Sequence, residues 1–135
     1  MSGEKDLNIL LQNIAPVLNA GEYVFCTIEN LGGIPDIEKI LFFFRETEAV
    51  TIVLEKTIAD KWSLEYSYIS SWITLNIHSS LEAVGLTAAF ANALKKENIS
   101  CNVVAAYFHD HIFIAKKDAE KAMEALHALR LAQDL

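Results

Sequence analysis

The chain has 135 residues, 53% of them apolar, and a formal net charge of −7. That length holds one compact unit or two small, closely packed ones, and the charge, with no run of lysine or arginine against it, argues against a nucleic-acid backbone or an anionic membrane as partner. The apolar fraction leaves enough surface for a continuous core and part of a subunit interface. The start, Met1-Ser-Gly-Glu-Lys-Asp6, has no signal-peptide core, and no apolar run reaches the length of a membrane span. Cys26 and Cys101 each sit in a strand-like run, so a reducing, cytoplasmic setting with two buried thiols is expected.

In chain order, Leu7, Leu10, Leu11, Ile14, Val17 and Leu18 follow helical spacing behind Asp6 as N-cap, with Pro16 and Gly21 as stop signals. Tyr23-Val-Phe-Cys-Thr-Ile28 reads as a strand, and Asn30-Leu-Gly-Gly-Ile-Pro35 as a loop. Ile40–Arg45 would wrap three phenylalanines around a helix, so a strand is preferred, paired as a hairpin with Thr51–Glu55. A short helical turn at Ala59–Trp62 precedes an alternating strand, Trp72–Ile77. Leu86, Ala89, Phe90, Ala93 and Leu94 make one apolar helix face. Cys101–Phe108 is the next strand, His109-Asp110 a turn, and His111–Ile114 the return strand. Ala119, Ala122, Met123, Leu126 and Leu129 close the chain as a helix capped by Asp118.

From Trp72 onward the order is β-α-β-β-α, one strand short of a split βαβ sheet. The second half must borrow that strand. The first half has strands to offer, Tyr23–Ile28 among them, or a partner chain supplies it. A cut near Ser70 should therefore not give two stable fragments.

Val84-Gly-Leu-Thr-Ala-Ala, followed by Ala93-Leu and Asn98-Ile-Ser, resembles the ACT-domain signature. More narrowly, the chain resembles the small stand-alone ACT-like proteins of bacteria, through Gly3–Leu7, Gly21–Thr27, Thr51–Leu54 with Ala59-Asp60, His78–Thr87 and Ser100–Phe113. The resemblance implies an α+β fold of two interwoven ferredoxin-like (βαββαβ) units, at 1–66 and 67–135, with strands exchanged between them, antiparallel sheets and helices on one face. Such a pair is similar to the regulatory region of aspartate kinase. It also implies a non-catalytic regulatory module that binds a small amino-acid-like ligand at an interface, and a homodimer. Gly32-Gly-Ile-Pro35, Ala49-Val50 and Ser71-Trp72 depart from the expected pattern.

The candidate ligand site is the start of the helix at Gly85. Backbone N–H groups of Val84, Leu86 and Thr87 face outward there and carry partial positive charge, which suits a carboxylate. The same glycine serves equally well as a tight turn with no ligand, and Ser79-Ser-Leu-Glu82 fits a capping box. Asn102 is the polar residue of an apolar strand, and it meets either the ligand or a backbone group. His78, His109 and His111 raise a metal, but histidines at a hairpin tip are ordinary turn residues and no three-ligand set is visible. Phe42, Phe43, Phe44 and Trp72 read as core or interface rather than a ligand pocket. No cofactor is implied. The alternatives are a structural interaction module without a ligand and a small metal-dependent enzyme.

Overall fold

The computed structural model describes residues 6–76 and 84–132. In chain order the elements are α1 (Leu7–Gln12), β1 (Pro16–Leu18), β2 (Tyr23–Ile28), β3 (Ile40–Arg45), β4 (Val50–Glu55), α2 (Lys56–Lys61), β5 (Ile69–Leu75), α3 (Leu86–Lys96), β6 (Asn102–Ala105), β7 (Asp110–Ala115) and α4 (Ala119–Ala132). Contacts divide the chain into a central unit, Ala20–Ser70, and an outer unit made of Met1–Asn19 with Ser71–Leu135.

In the outer unit α1 starts where Asp6 caps it, its Oδ1 accepting from the backbone N–H groups of Asn8 (3.0 Å) and Ile9 (3.3 Å). It stops earlier than the apolar spacing suggests. Asn13 ends it, its side-chain amide donating to the Ile9 carbonyl at 2.8 Å. Pro16 cannot extend a helix and pushes the residue before it to extended backbone. Val17 and Leu18, expected on the helix, therefore lie in β1, which pairs antiparallel with β5 as Pro16↔Leu75, Val17↔Thr74 and Leu18↔Ile73.

That pairing answers the strand deficit. The outer sheet runs β1-β5-β7-β6, the fourth-first-third-second order of a βαββαβ unit. The borrowed strand is Pro16–Leu18 of the same chain, not Tyr23–Ile28. Ile73, Leu75, Ile112 and Ile114 face one side of the sheet, and Leu10, Ile14, Phe90, Leu94 and Leu126 cover them, all fully buried. Helix α3 ends in a Schellman motif. Asn98 is left-handed (φ 58°), its N–H donates to Lys95 O, and Ile99 N–H donates to Leu94 O. The contact between Leu94 and Ile99 that accompanies this motif is part of the core, which gives the Ala93-Leu…Ile99 signature a physical reason. The β6–β7 turn, centred on Tyr107-Phe108, lies two residues earlier than the sequence suggests. Ala106 N–H donates to His109 O, β6 ends at Ala105 and Asp110 already belongs to β7. Asp118, expected as the cap of α4, closes a 3-10 turn leading into it.

The central unit repeats the order, β3-β4-β2 with the first two residues of β5. Val24, Cys26, Ile52, Leu54 and Ala59 form its core. Between β2 and β3, where a βαββαβ unit carries its first helix, stand two 3-10 turns, Leu31–Gly33 and Ile37–Lys39. Leu31 and Ile34 of this segment pack on the core in place of the helix. Helix α2 begins at Lys56, earlier than the expected turn, and ends in a second Schellman motif around left-handed Ser63 (φ 57°). The strand β3 bulges at Leu41.

Candidate functional site

Gly85 is the N-cap of α3, with φ 90° and ψ −10°. Only glycine holds this left-handed conformation cheaply. A Cβ there would also stand 3.2 Å from Leu7 Cδ2. The turn thus brings α3 in tightly over α1, and among the described residues no side chain caps the helix start. The first-turn N–H groups have no intrahelical acceptor.

The predicted residues around this turn separate by role. Val84 is 83% exposed, whereas Leu86 is 3% exposed and its side chain belongs to the core, so it offers only its N–H. Thr87 is exposed on the first turn. The result, among the described residues, is a helix start without a side-chain cap and with a hydroxyl beside it, a geometry suited to an anion. The segment 77–83, with His78 and the Ser79–Glu82 capping pattern, lies outside the described residues.

Asn102 stands on the edge strand β6, opposite Phe113 of β7. Val103 next to it packs into the helix-side core, so Asn102 is on the other face of the sheet. Its side-chain nitrogen donates to Phe113 O at 3.1 Å, which leaves its Oδ1 as the group able to meet an amine.

The sequence missed a cluster on that same sheet face. Trp72 Nε1 donates to His111 Nδ1 at 3.0 Å, and Thr74 Oγ1 lies 3.1 Å from the same nitrogen. Asn19 Nδ2 donates to Thr74 Oγ1 at 3.0 Å. Since an indole N–H only donates, Nδ1 accepts, and the neutral ring carries its proton on Nε2. The Trp72 ring also stacks on Phe113, centroids 6.4 Å apart. Burial first, and then the neighbouring His109, hold the His111 imidazole below its usual pKa. The signal in the sequence was the alternation that puts Trp72, Thr74 and His111 on the face away from the core.

Among the described residues no three of His, Cys, Asp and Glu are grouped to hold a metal. Burial pushes the Cys101 thiol up to about 11 and raises that of Cys26, so neither forms a thiolate readily. Phe42 meets Phe25 edge-to-face at 6.4 Å. Phe43 lies under the Arg45 guanidinium at 5.0 Å, and Phe44 is 66% exposed. No helix among the described residues is long and apolar enough to cross a membrane.

Two tandem βαββαβ units, one completed by a strand from the far end of the chain, define the class. ACT-domain family profiles match residues 2–71 and 67–128, and the chain belongs to the ACT-domain family. It is 48% identical to a Vibrio cholerae protein of unknown function, over 93% of this chain and 97% of that one, with a TM-score of 0.84. An Agrobacterium tumefaciens protein is 18% identical over 87% of this chain and 89% of its own, with a TM-score of 0.64. The ligand-free regulatory subunit of aspartate kinase from Thermus thermophilus is 10% identical over 85% and 97%, with a TM-score of 0.62. The last two share the fold. No curated protein sequence matches the chain.

Proposed function

We propose that the protein is a regulatory module that binds a small amino-acid-like ligand and carries no catalytic site of its own. The ligand carboxylate rests on the N–H groups of Val84 to Thr87, and its amine meets strand carbonyls, or Asn102 Oδ1 from a second copy across an interface, because Asn102 of the same copy lies on the sheet face away from α3. The observation that carries this reading is the left-handed Gly85 opening α3 with no side-chain cap among the described residues. The kinship in fold with aspartate kinase regulatory subunits supports it. In this reading the chain works in the cytoplasm as a homodimer, each copy built from two ACT-like halves, 1–66 and 67–135, that exchange strands. A regulatory signal then requires that the ligand bind one arrangement of the chains better than another.

Thermal unfolding with free amino acids and small carboxylates tests this. A ligand at about 100 times its Kd adds roughly 2.7 kcal/mol of stability, several degrees for a domain of this size. Thr87→Glu is the matched variant. A carboxylate on the first turn favours the helix while occupying and repelling the anion site. A shift with one class of compound that is lost in the folded Thr87→Glu protein is the expected result. Absence of a shift with every compound sinks the ligand reading, and an undiminished shift in the variant moves the ligand away from α3. A second reading, an interaction module without a ligand, draws on exposed Leu41, Phe43 and Phe44 along edge strand β3.

A further inference from the structure

The ladder between β2 and β5 covers only Tyr23↔Ser70 and Val24↔Ile69. Strand β2 runs on to Ile28, paired with β4 along its full length. On its other side the chain leaving α2 stands off, and the gap is an open groove of about 650 Å³ between Phe25–Thr27 and Leu64–Ser67. The standoff has a local cause. The Schellman turn at Ser63 throws the chain out of the helix, and Leu64 N–H donates back to Ala59 O.

The hydrogen-bond phase of β2 tells which backbone groups face this groove. Lys56 N–H donates to Glu22 O at 2.8 Å, so even-numbered residues of β2 bond toward β4. In an antiparallel ladder the alternate residues point the other way. Tyr23 does so, toward Ser70, whose Oγ donates to Tyr23 O. Thr27 follows in the same phase, and among the described residues no backbone group pairs with its N–H and C=O on the groove side.

The opposite wall is fixed and acidic. The Tyr66 hydroxyl donates to Asp60, whose other oxygen holds Lys56 Nζ at 2.9 Å. The Lys56 ammonium also lies 5.8 Å from the Tyr66 ring centroid. This pairing matches Lys56 with Asp60 and leaves Glu65 as the charged group lining the groove. The hydroxyls of Thr27 and Ser67 and the apolar side chain of Leu64 complete it.

We propose that this groove is a strand-addition site that takes an extended, basic peptide segment of a partner protein. The segment pairs with Thr27 as a strand continuing the line of β5, and it sets a lysine or arginine against Glu65. A ladder edge offers main-chain pairing, and alternate side chains give selectivity. The acidic wall and the net charge of −7 favour a basic over an acidic segment.

The test uses the full chain, ¹⁵N-labelled, titrated with capped peptides alternating valine with lysine or valine with glutamate. A third peptide carries lysine with N-methylated backbone amides. The lysine peptide is expected to shift the Thr27 and Ser67 amides and to slow exchange of the Thr27 N–H. N-methylation weakens it by roughly tenfold, the cost of one lost backbone hydrogen bond. Thr27→Pro does the same while keeping the β2–β4 ladder, because that N–H does not face β4. Glu65→Lys, an exposed change, reverses the preference toward the glutamate peptide. Equal binding of the N-methylated peptide, shifts confined to residues outside the groove, or no binding at millimolar peptide each overturn the proposal.

Discussion

His111 is where the protein answers to pH. Its ring is held neutral by burial and accepts the Trp72 N–H on Nδ1. Its folded pKa lies below the ordinary value of 6.5, so the unfolded chain takes up a proton first. Stability is therefore full above pH 6.5, falls as pH drops below it, and levels off once the folded form is protonated too. Asp110 works the other way. Burial raises its pKa, and its contribution grows as pH falls toward the carboxylate range. His111→Gln keeps an acceptor for Trp72 and should flatten the slope just below pH 6.5 in a melting-temperature series. Gly85 is the second sensitive residue. Gly85→Ala meets both a left-handed φ and Leu7 at 3.2 Å, and it should cost about 1–2 kcal/mol in urea unfolding.

Among the elements, those built from local signals were legible. Asp6 caps α1, Tyr23–Ile28 is β2, and the phenylalanine run is a strand in a hairpin with β4. Strand β1 was not legible, because Val17 and Leu18 fit the helical spacing of the residues before them and only pairing with distant β5 makes them a strand. A short strand carries too few residues for a period-two signal. The candidate site was legible to the same degree. The turn at Gly85 follows from its sequence context, whereas the Asn102 bond to Phe113 O and the Trp72–His111 contact depend on cross-strand register that no local pattern encodes. The groove beside β2 depends on a non-glycine residue, Ser63, adopting a left-handed turn.

At the scale of the molecule the two units are alike in strand order and unlike in their first helix. The outer unit has α3, whereas the central one has 3-10 turns. The proposed helix-start site of the α3 kind thus has a counterpart helix in only one of the two described units. The outer unit also depends on the first nineteen residues. Removing residues 1–19 takes away β1 together with Leu10, Leu11 and Ile14 of the core. Buried leucines are worth about 2–5 kcal/mol each, so the loss rivals the whole stability of a typical domain, about 5–15 kcal/mol. Hydrogen exchange of the truncated chain should show α3 and α4 unprotected while the β2–β4 ladder keeps its protection.

The insertion of one unit within the other also sets an order of events during synthesis. On the ribosome the central unit emerges as an unbroken block, able to close before the rest of the chain exists. The segment from Leu7 to Leu18 emerges first and finds its partners last, because β5, α3 and α4 all follow the central block. Throughout that interval the nascent chain carries an apolar orphan, and on a crowded polysome the nearest complement is the β5 edge of a neighbouring copy. Exchange of β1 between chains is thus the error to which this architecture is most exposed.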